Sequence, residues 1–246
     1  MKIKNLVFQI KDVTFDQALE YLVDKAQNKR VKTFVVTINP EIIMLAKEDK
    51  HYEKVLKSAD LALCDGVGII FAGKLFGKSF PGRVRGVDLL EKLSDLASQR
   101  SLTVGLLGGG KNVALETSKC LKKKYPKLKI SFAKQEWVNQ KTNVKKQKSD
   151  RTSHGSKLKC DILFVAFGSP KQEKWIYENL SKLDVKVAIG VGGAFDFVSG
   201  KVRRAPLQVR RIGLEWLFRL IIQPWRIKRQ IVLPKFVLLV IRERFF

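Results

Sequence analysis

The sequence predicts an α/β fold: a Rossmann-like, mainly parallel sheet with helices on both faces, followed by a C-terminal helical appendage. Three observations carry this. Short apolar, β-branched runs alternate with longer helical stretches, the pattern of βαβ crossovers. Glycine, proline, aspartate and asparagine gather where those runs end. After Gly200 the strand-like text stops and only helical text follows.

In chain order, Leu6 to Ile10 reads as a strand, and Thr14 with Gln17 forms a capping box that opens a helix to about Lys29. Thr33 to Ile38 is a β-branched strand. Asn39-Pro40 then supplies a cap and a proline at the first helical position. Asp60 to Cys64 is a strand, Gly66 to Phe76 a helix and Asp88 to Arg100 another. Leu102 to Leu107 is a strand leading through Gly108-Gly109-Gly110 into a helix that stops near Tyr125-Pro126. Leu128 to Phe132 and Ile162 to Phe167 are strands, Ser169-Pro170 caps a helix to about Leu183, and Val185 to Ile189 is the last strand. Helical text resumes at Leu207 with a break at Gln223-Pro224. Residues 1–204 therefore read as the α/β core and 205–246 as the appendage, with 139–157 a flexible basic loop inside the core.

The formal charge is +25, from 48 basic and 23 acidic side chains. Two segments supply nearly all of it: 119–159 is net +12 and lysine-rich, and 201–246 is net +10 and arginine-rich. Such a charge predicts an anionic partner, whether nucleic acid, an acidic membrane surface or a phosphorylated substrate. Lysine runs suit solvated surface. Arginine interleaved with Trp216, Leu217, Phe218 and Trp225 suits phosphate chelation or a membrane interface. The longest apolar run, Ile231 to Ile241, is broken by Pro234 and Lys235 and is too short to span a bilayer. Three dispersed cysteines and two histidines give no disulfide framework and no metal cluster, and no Asp-x-Asp is present to hold a divalent ion for a nucleotide-sugar.

Ligands of parallel α/β sheets sit beyond the carboxyl ends of the strands. That rule selects Thr37-Ile38-Asn39, Cys64-Asp65-Gly66, Leu107 to Gly110, Gly168 to Gln172 and Gly190 to Asp196. The glycines at 108–110 suit close approach of a diphosphate to a helix N-terminus, or merely a tight turn. Asp65 suits a general base accepting a hydroxyl proton, and equally a helix N-cap. Arg83, Arg85 and the appendage arginines are the cations available to a leaving diphosphate.

Together these residues resemble the bacterial WecG/TagA/CpsF glycosyltransferases over nearly the whole chain. The resemblance runs through Thr37-Ile38-Asn39, Ala59-Asp60-Leu61 with Asp65-Gly66, Arg83 to Asp88, Leu107-Gly108-Gly109, Gly168 to Trp175, Gly190 to Asp196, Arg204-Ala205-Pro206, and Gly213 to Arg219 with Pro224. It implies an inverting, metal-independent hexosyltransferase without cofactor. The donor would be a UDP-sugar of the N-acetylmannosamine type, with its uronic acid or glucose as alternatives. The acceptor would be undecaprenyl-diphosphate-linked N-acetylglucosamine, in teichoic acid or related surface polysaccharide assembly. By the same resemblance Asp65 is the base, Arg83 is a further catalytic pocket position, and Arg219, Arg226 and Arg229 face the diphosphate. Thr37, Asn39, Gly108, Gly109 and Gln172 are substrate-site positions. The expected location is cytoplasmic, peripheral on the inner face of the bacterial cell membrane. A homo-oligomer is compatible with all of this. The rival from charge alone is a nucleic-acid-binding protein, against which no reader motif appears and no specific nucleic acid is expected.

Overall fold

The computed structural model describes residues 2–3, 6–7, 10–28, 31–136 and 158–245. The basic stretch 139–157 lies outside the described residues. The chain opens with a small antiparallel pair, β1 (Lys2–Ile3) and β2 (Leu6–Val7). Of the strand expected from Leu6 to Ile10, the described Leu6 and Val7 pair with β1 outside the main sheet, and Ile10 forms a parallel bridge with Ala62. There follow α1 (Phe15–Gln27), β3 (Thr33–Ile38), α2 (Pro40–Glu48), α3 (Lys50–Lys57), β4 (Leu61–Cys64), α4 (Val67–Leu75) and α5 (Gly86–Gln99). Next come β5 (Thr103–Gly108), α6 (Val113–Lys124), β6 (Lys129–Lys134), β7 (Lys159–Ala166), α7 (Lys171–Asn179), β8 (Asp184–Gly190) and α8 (Ala194–Val198). The appendage holds α9 (Leu207–Arg211), α10 (Glu215–Ile222), α11 (Ile227–Gln230) and α12 (Val232–Phe245), with a 3-10 turn at Pro224–Arg226.

The six strands β3 to β8 form one parallel sheet in the order β4-β3-β8-β7-β5-β6. Successive strand residues serve opposite layers. Val36, Leu163 and Val165 pack with α2, α3, α4 and α7 on one face. Val35, Ile162 and Phe164 pack with α1, α5, α6 and α8 on the other. This period of two, with both faces covered, explains why the strands read as continuous apolar runs.

Local rules account for the helix ends. The Thr14–Gln17 capping box forms in both directions, at 3.2 and 2.9 Å. Asn39 Oδ1 accepts from Ile42 N at 3.0 Å, and Pro40 opens α2. Asp49 then ends α2 and caps α3, its Oδ1 accepting from Tyr52 N, so the single helix expected here is two. Ser169 does not cap α7; its peptide to Pro170 is cis, and its hydroxyl donates to Glu173 Oε1 at 2.8 Å.

The appendage is seated on the core by two kinds of contact. Phe236, Leu239 and Val240 of α12 are buried in the same cluster as Ile43 and Ile69. At its other end, Arg204 pairs with Asp88 and Glu91 of α5 and with Glu215 of α10, which also faces Arg85. No described helix is long and apolar enough to cross a membrane.

Candidate active site

Connections leave neighbouring strands β3 and β8 toward opposite faces, α2 to one layer and α8 to the other. A crevice opens at such a switch point, beyond the carboxyl ends of the strands. Here it is a cavity of about 930 Å³, lined by the loops after β3, β4, β5, β7 and β8 and roofed by residues of α10, α11 and α12.

Asp65 follows β4, and its N–H donates to Ile38 O at 2.8 Å, so strand pairing carries it to the cavity edge. It does not cap α4. The N-cap is Gly66, at φ +99°, with no side-chain cap bond, and the Asp65 side chain lines the cavity instead. Burial, and next the Glu215 carboxylate, push the Asp65 carboxyl up to about 7, against the pull of Arg85 and Arg83. A base poised near neutral pH is what proton abstraction from a hydroxyl requires.

Arg83 also lines the cavity, but its Nη2 donates to Arg210 O at 2.7 Å, fixing the turn between α9 and α10 over Asp65. That turn reverses at Gly213, with φ +86° and so little room that a Cβ would lie 2.3 Å from Val67 Cγ1.

Three appendage arginines share this cavity. Arg219 lies 4.6 Å from the Phe197 ring centre and 3.7 Å from Asp196, and its Nε donates to Gln223. Arg229 forks onto Glu41 at 2.6 and 2.9 Å. Arg226 ends the 3-10 turn, and Arg229 lies three residues on in α11, which follows directly. Its Nε is buried with no hydrogen-bond partner among the described residues. Burial, with Arg219 and Arg229 close by, pulls Arg226 down to about 10. Burial likewise lowers Arg219, against Asp196. Cations crowded and desolvated in this way are relieved by an anion, and guanidinium forks fit phosphate oxygens.

The remaining positions divide. Thr37 is buried, with Oγ1 3.4 Å from Gly190 O, and Asn39 lines the cavity while capping α2. Gln172 touches the cavity, but its amide is committed inward. Its Oε1 accepts from Gly168 N and Gly192 N at 3.2 and 2.9 Å, and its Nε2 donates to Glu173 Oε1 at 2.7 Å. Gln172 therefore positions two loops. Gly109 and Gly110 line the cavity; Gly108 does not, and serves a close approach in which a Cβ would lie 2.7 Å from the Ala166 carbonyl carbon. The next helix begins only at Val113, after Asn112 in a left-handed conformation. Among the described residues no three His, Cys, Asp or Glu side chains gather as a metal would need.

Sequence reasoning missed Glu215 and Glu41 as cavity groups, and brought in Asp196 only as the end of the Gly190 to Asp196 loop. Glu215 carried a signal of the same kind, sitting inside the Gly213 to Arg219 motif, whereas Glu41 carried none.

The profile of the glycosyl transferase WecG/TagA/CpsF family matches residues 3–246. The chain is 34% identical to a Bacillus subtilis (strain 168) protein over 225 residues, 92% of this chain and 85% of that one. It is 38% identical over 217 residues to a Bacillus spizizenii (strain ATCC 23059 / NRRL B-14472 / W23) protein, 88% and 81% of the two chains. It is 31% identical over 207 residues to one from Staphylococcus aureus (strain MRSA252), 83% and 78%. All three relatives bear the name N-acetylglucosaminyldiphosphoundecaprenol N-acetyl-beta-D-mannosaminyltransferase. The chain belongs to the WecG/TagA/CpsF family of glycosyl transferases.

Proposed function

We propose that this member of the family transfers N-acetylmannosamine from a UDP donor to N-acetylglucosamine carried on undecaprenyl diphosphate, inverting the anomeric centre and using no divalent metal. The observation that carries the reading is the Asp65 carboxyl, raised to about 7, in one cavity with Arg219, Arg226 and Arg229. A hydroxyl oxygen of the acceptor attacks the anomeric carbon of the donor as Asp65 takes its proton. The bond from that carbon to the phosphate oxygen breaks, and UDP leaves with the bonding pair. A single displacement inverts the centre. Charge grows on the departing phosphate, and Arg226, with its buried unpaired Nε, is placed to offset it together with Arg219. Arg83 and Gln172 hold the turn over Asp65 and the two loops beside it.

The appendage turns Trp216, Leu217, Ile221, Trp225 and Ile227 to solvent beside its arginines. That combination suits peripheral attachment to an anionic membrane surface, on the inner face where nucleotide-sugars are made.

The test is sugar transfer by the full chain from UDP-N-acetylmannosamine to a synthetic lipid-diphosphate-N-acetylglucosamine, read as UDP release and as the disaccharide product. Turnover that survives EDTA and falls in Asp65→Asn is expected. Turnover abolished by EDTA and restored by Mn²⁺, or undiminished in Asp65→Asn, overturns the mechanism.

A further inference from the structure

Two helices at the cavity mouth expose apolar side chains beside their line of contact. The ring of Phe236 on α12 lies against Gly68 of α4, where a Cβ would sit 3.6 Å from Phe236 Cε1. Two turns further along, Arg244 Nε donates to Leu75 O at 2.8 Å. The two helices therefore run side by side. Ile69 and Ala72 of α4 and Phe236, Leu239 and Val240 of α12 face the core.

The flank beside that buried stripe is uncovered on both helices. On α4, Val67 and Phe71 are one turn apart and 38% and 45% exposed. On α12, Val237 and Ile241 are one turn apart and 36% and 39% exposed. The helical repeat puts Val237, Ile241 and Arg244 on one side of α12. Arg244 reaches α4, so the other two border α4 as well. The strip from Leu233 to Ile241 is about 12 Å long.

The position of this strip makes it specific. Val67, Gly68, Phe236 and Val237 also line the cavity, so the inner end of the strip opens into it. Its inner end holds Asp65 and the arginines, and its outer end runs to the exposed Leu238 and Phe245. A molecule that joins a sugar diphosphate to a hydrocarbon chain matches this order of surfaces: sugar at Asp65, diphosphate at the arginines, chain along the strip. We propose that the α4–α12 strip seats the first isoprene units of the lipid-linked acceptor. The proposal rests on the acceptor assigned above and adds where its chain lies and which residues discriminate long-chain from short-chain acceptors.

The experiment compares the full chain with Phe71→Gln and Ile241→Gln, both at partly exposed positions where polar side chains are tolerated. Two acceptors are used, N-acetylglucosamine diphosphate on a long polyprenyl chain and on a short, water-soluble alkyl chain. Loss of one apolar contact should raise KM for the polyprenyl acceptor roughly 5–30-fold. Turnover of the short acceptor, and sedimentation with phosphatidylglycerol vesicles, should stay as in the parent. An unchanged polyprenyl KM in both variants overturns the proposal. Lost sedimentation with unchanged polyprenyl KM in detergent also overturns it and gives the strip to bilayer acyl chains. If the parent transfers sugar to neither acceptor, the proposed function fails. Binding of a fluorescent polyprenyl diphosphate then reads the strip directly: weaker binding by the variants supports it, and equal binding refutes it.

Discussion

Replacing Asp65 by asparagine separates what this carboxylate does in catalysis from what it costs the fold. Its carboxyl is raised from 3.8 to about 7, mainly by burial and next by Glu215. A carboxyl with a higher pKa in the native state holds its proton more tightly there than in the unfolded chain. The native state therefore loses stability as the pH rises from about 4 to about 7, and the loss is complete above that. A shift of about 3 units corresponds to about 4 kcal/mol for a fully enclosed group. Asp65 faces an open cavity, and solvent screening brings this to about 1–2 kcal/mol. The asparagine amide carries no charge to desolvate. Asp65→Asn should match the parent in stability near pH 4 and exceed it by about 1–2 kcal/mol at pH 8.5, or about 2–8 °C in Tm for a chain of this size. Its turnover should fall roughly 10²–10⁴-fold. Urea unfolding at the two pH values and kcat/KM between pH 5.5 and 9 are the assays. The parent rate should climb through pH 7 to a plateau, and the residual rate of the variant should be flat. A variant less stable than the parent at pH 8.5, or a parent rate that ignores pH between 6 and 8, refutes the reasoning.

Five further single substitutions probe the appendage. Glu215→Gln removes the second cause of the raised Asp65 pKa, so the acid limb of the rate profile should move to lower pH; a limb that stays in place means that burial alone sets it. Arg219→Ala and Arg226→Ala should each lower kcat at least tenfold with membrane-borne and water-soluble acceptors alike, whereas Arg242→Ala, at an exposed site, should weaken only vesicle sedimentation; equal effects of all three on sedimentation alone would leave the arginines as anchors. Gly213→Ala meets both a positive φ and Val67 Cγ1 at 2.3 Å, so turnover should collapse while thermal unfolding of the core persists, and adding Val67→Ala should restore part of the rate; unaltered turnover in the single variant would show that the turn need not close.

The sheet was legible because both its faces are covered. Thr33–Ile38 is buried at every position, and such a run has no competing reading. The N-terminal strand failed because Leu6 and Val7 pair locally with β1, outside the sheet that sets the pattern. The five-residue helix α8 is too short to show a period. In the site, Asp65 and Asn39 followed from the rule about strand ends, and Asp65 as a cap was eliminated only by the positive φ of Gly66. The roof was hidden because it depends on partners far apart in the chain, such as Arg83 and Arg210, 127 residues apart. Gln172 shows the opposite difficulty. Its residue type suits a ligand, and only the two backbone N–H groups on its Oε1 show that the amide is already occupied.

Phe236, Leu239 and Val240 have a consequence for how the molecule is made and unmade. They lie near the end of the chain and fill a site between α2 and α4, elements translated far earlier. During synthesis those helices present an unfilled apolar notch until α12 emerges, and Asp65 lacks Glu215 and the roof for the same interval. A core without the appendage has a bare hydrophobic notch, open to aggregation and to quality-control binding. Completion of the cavity roof and filling of this notch therefore come together, when the appendage docks.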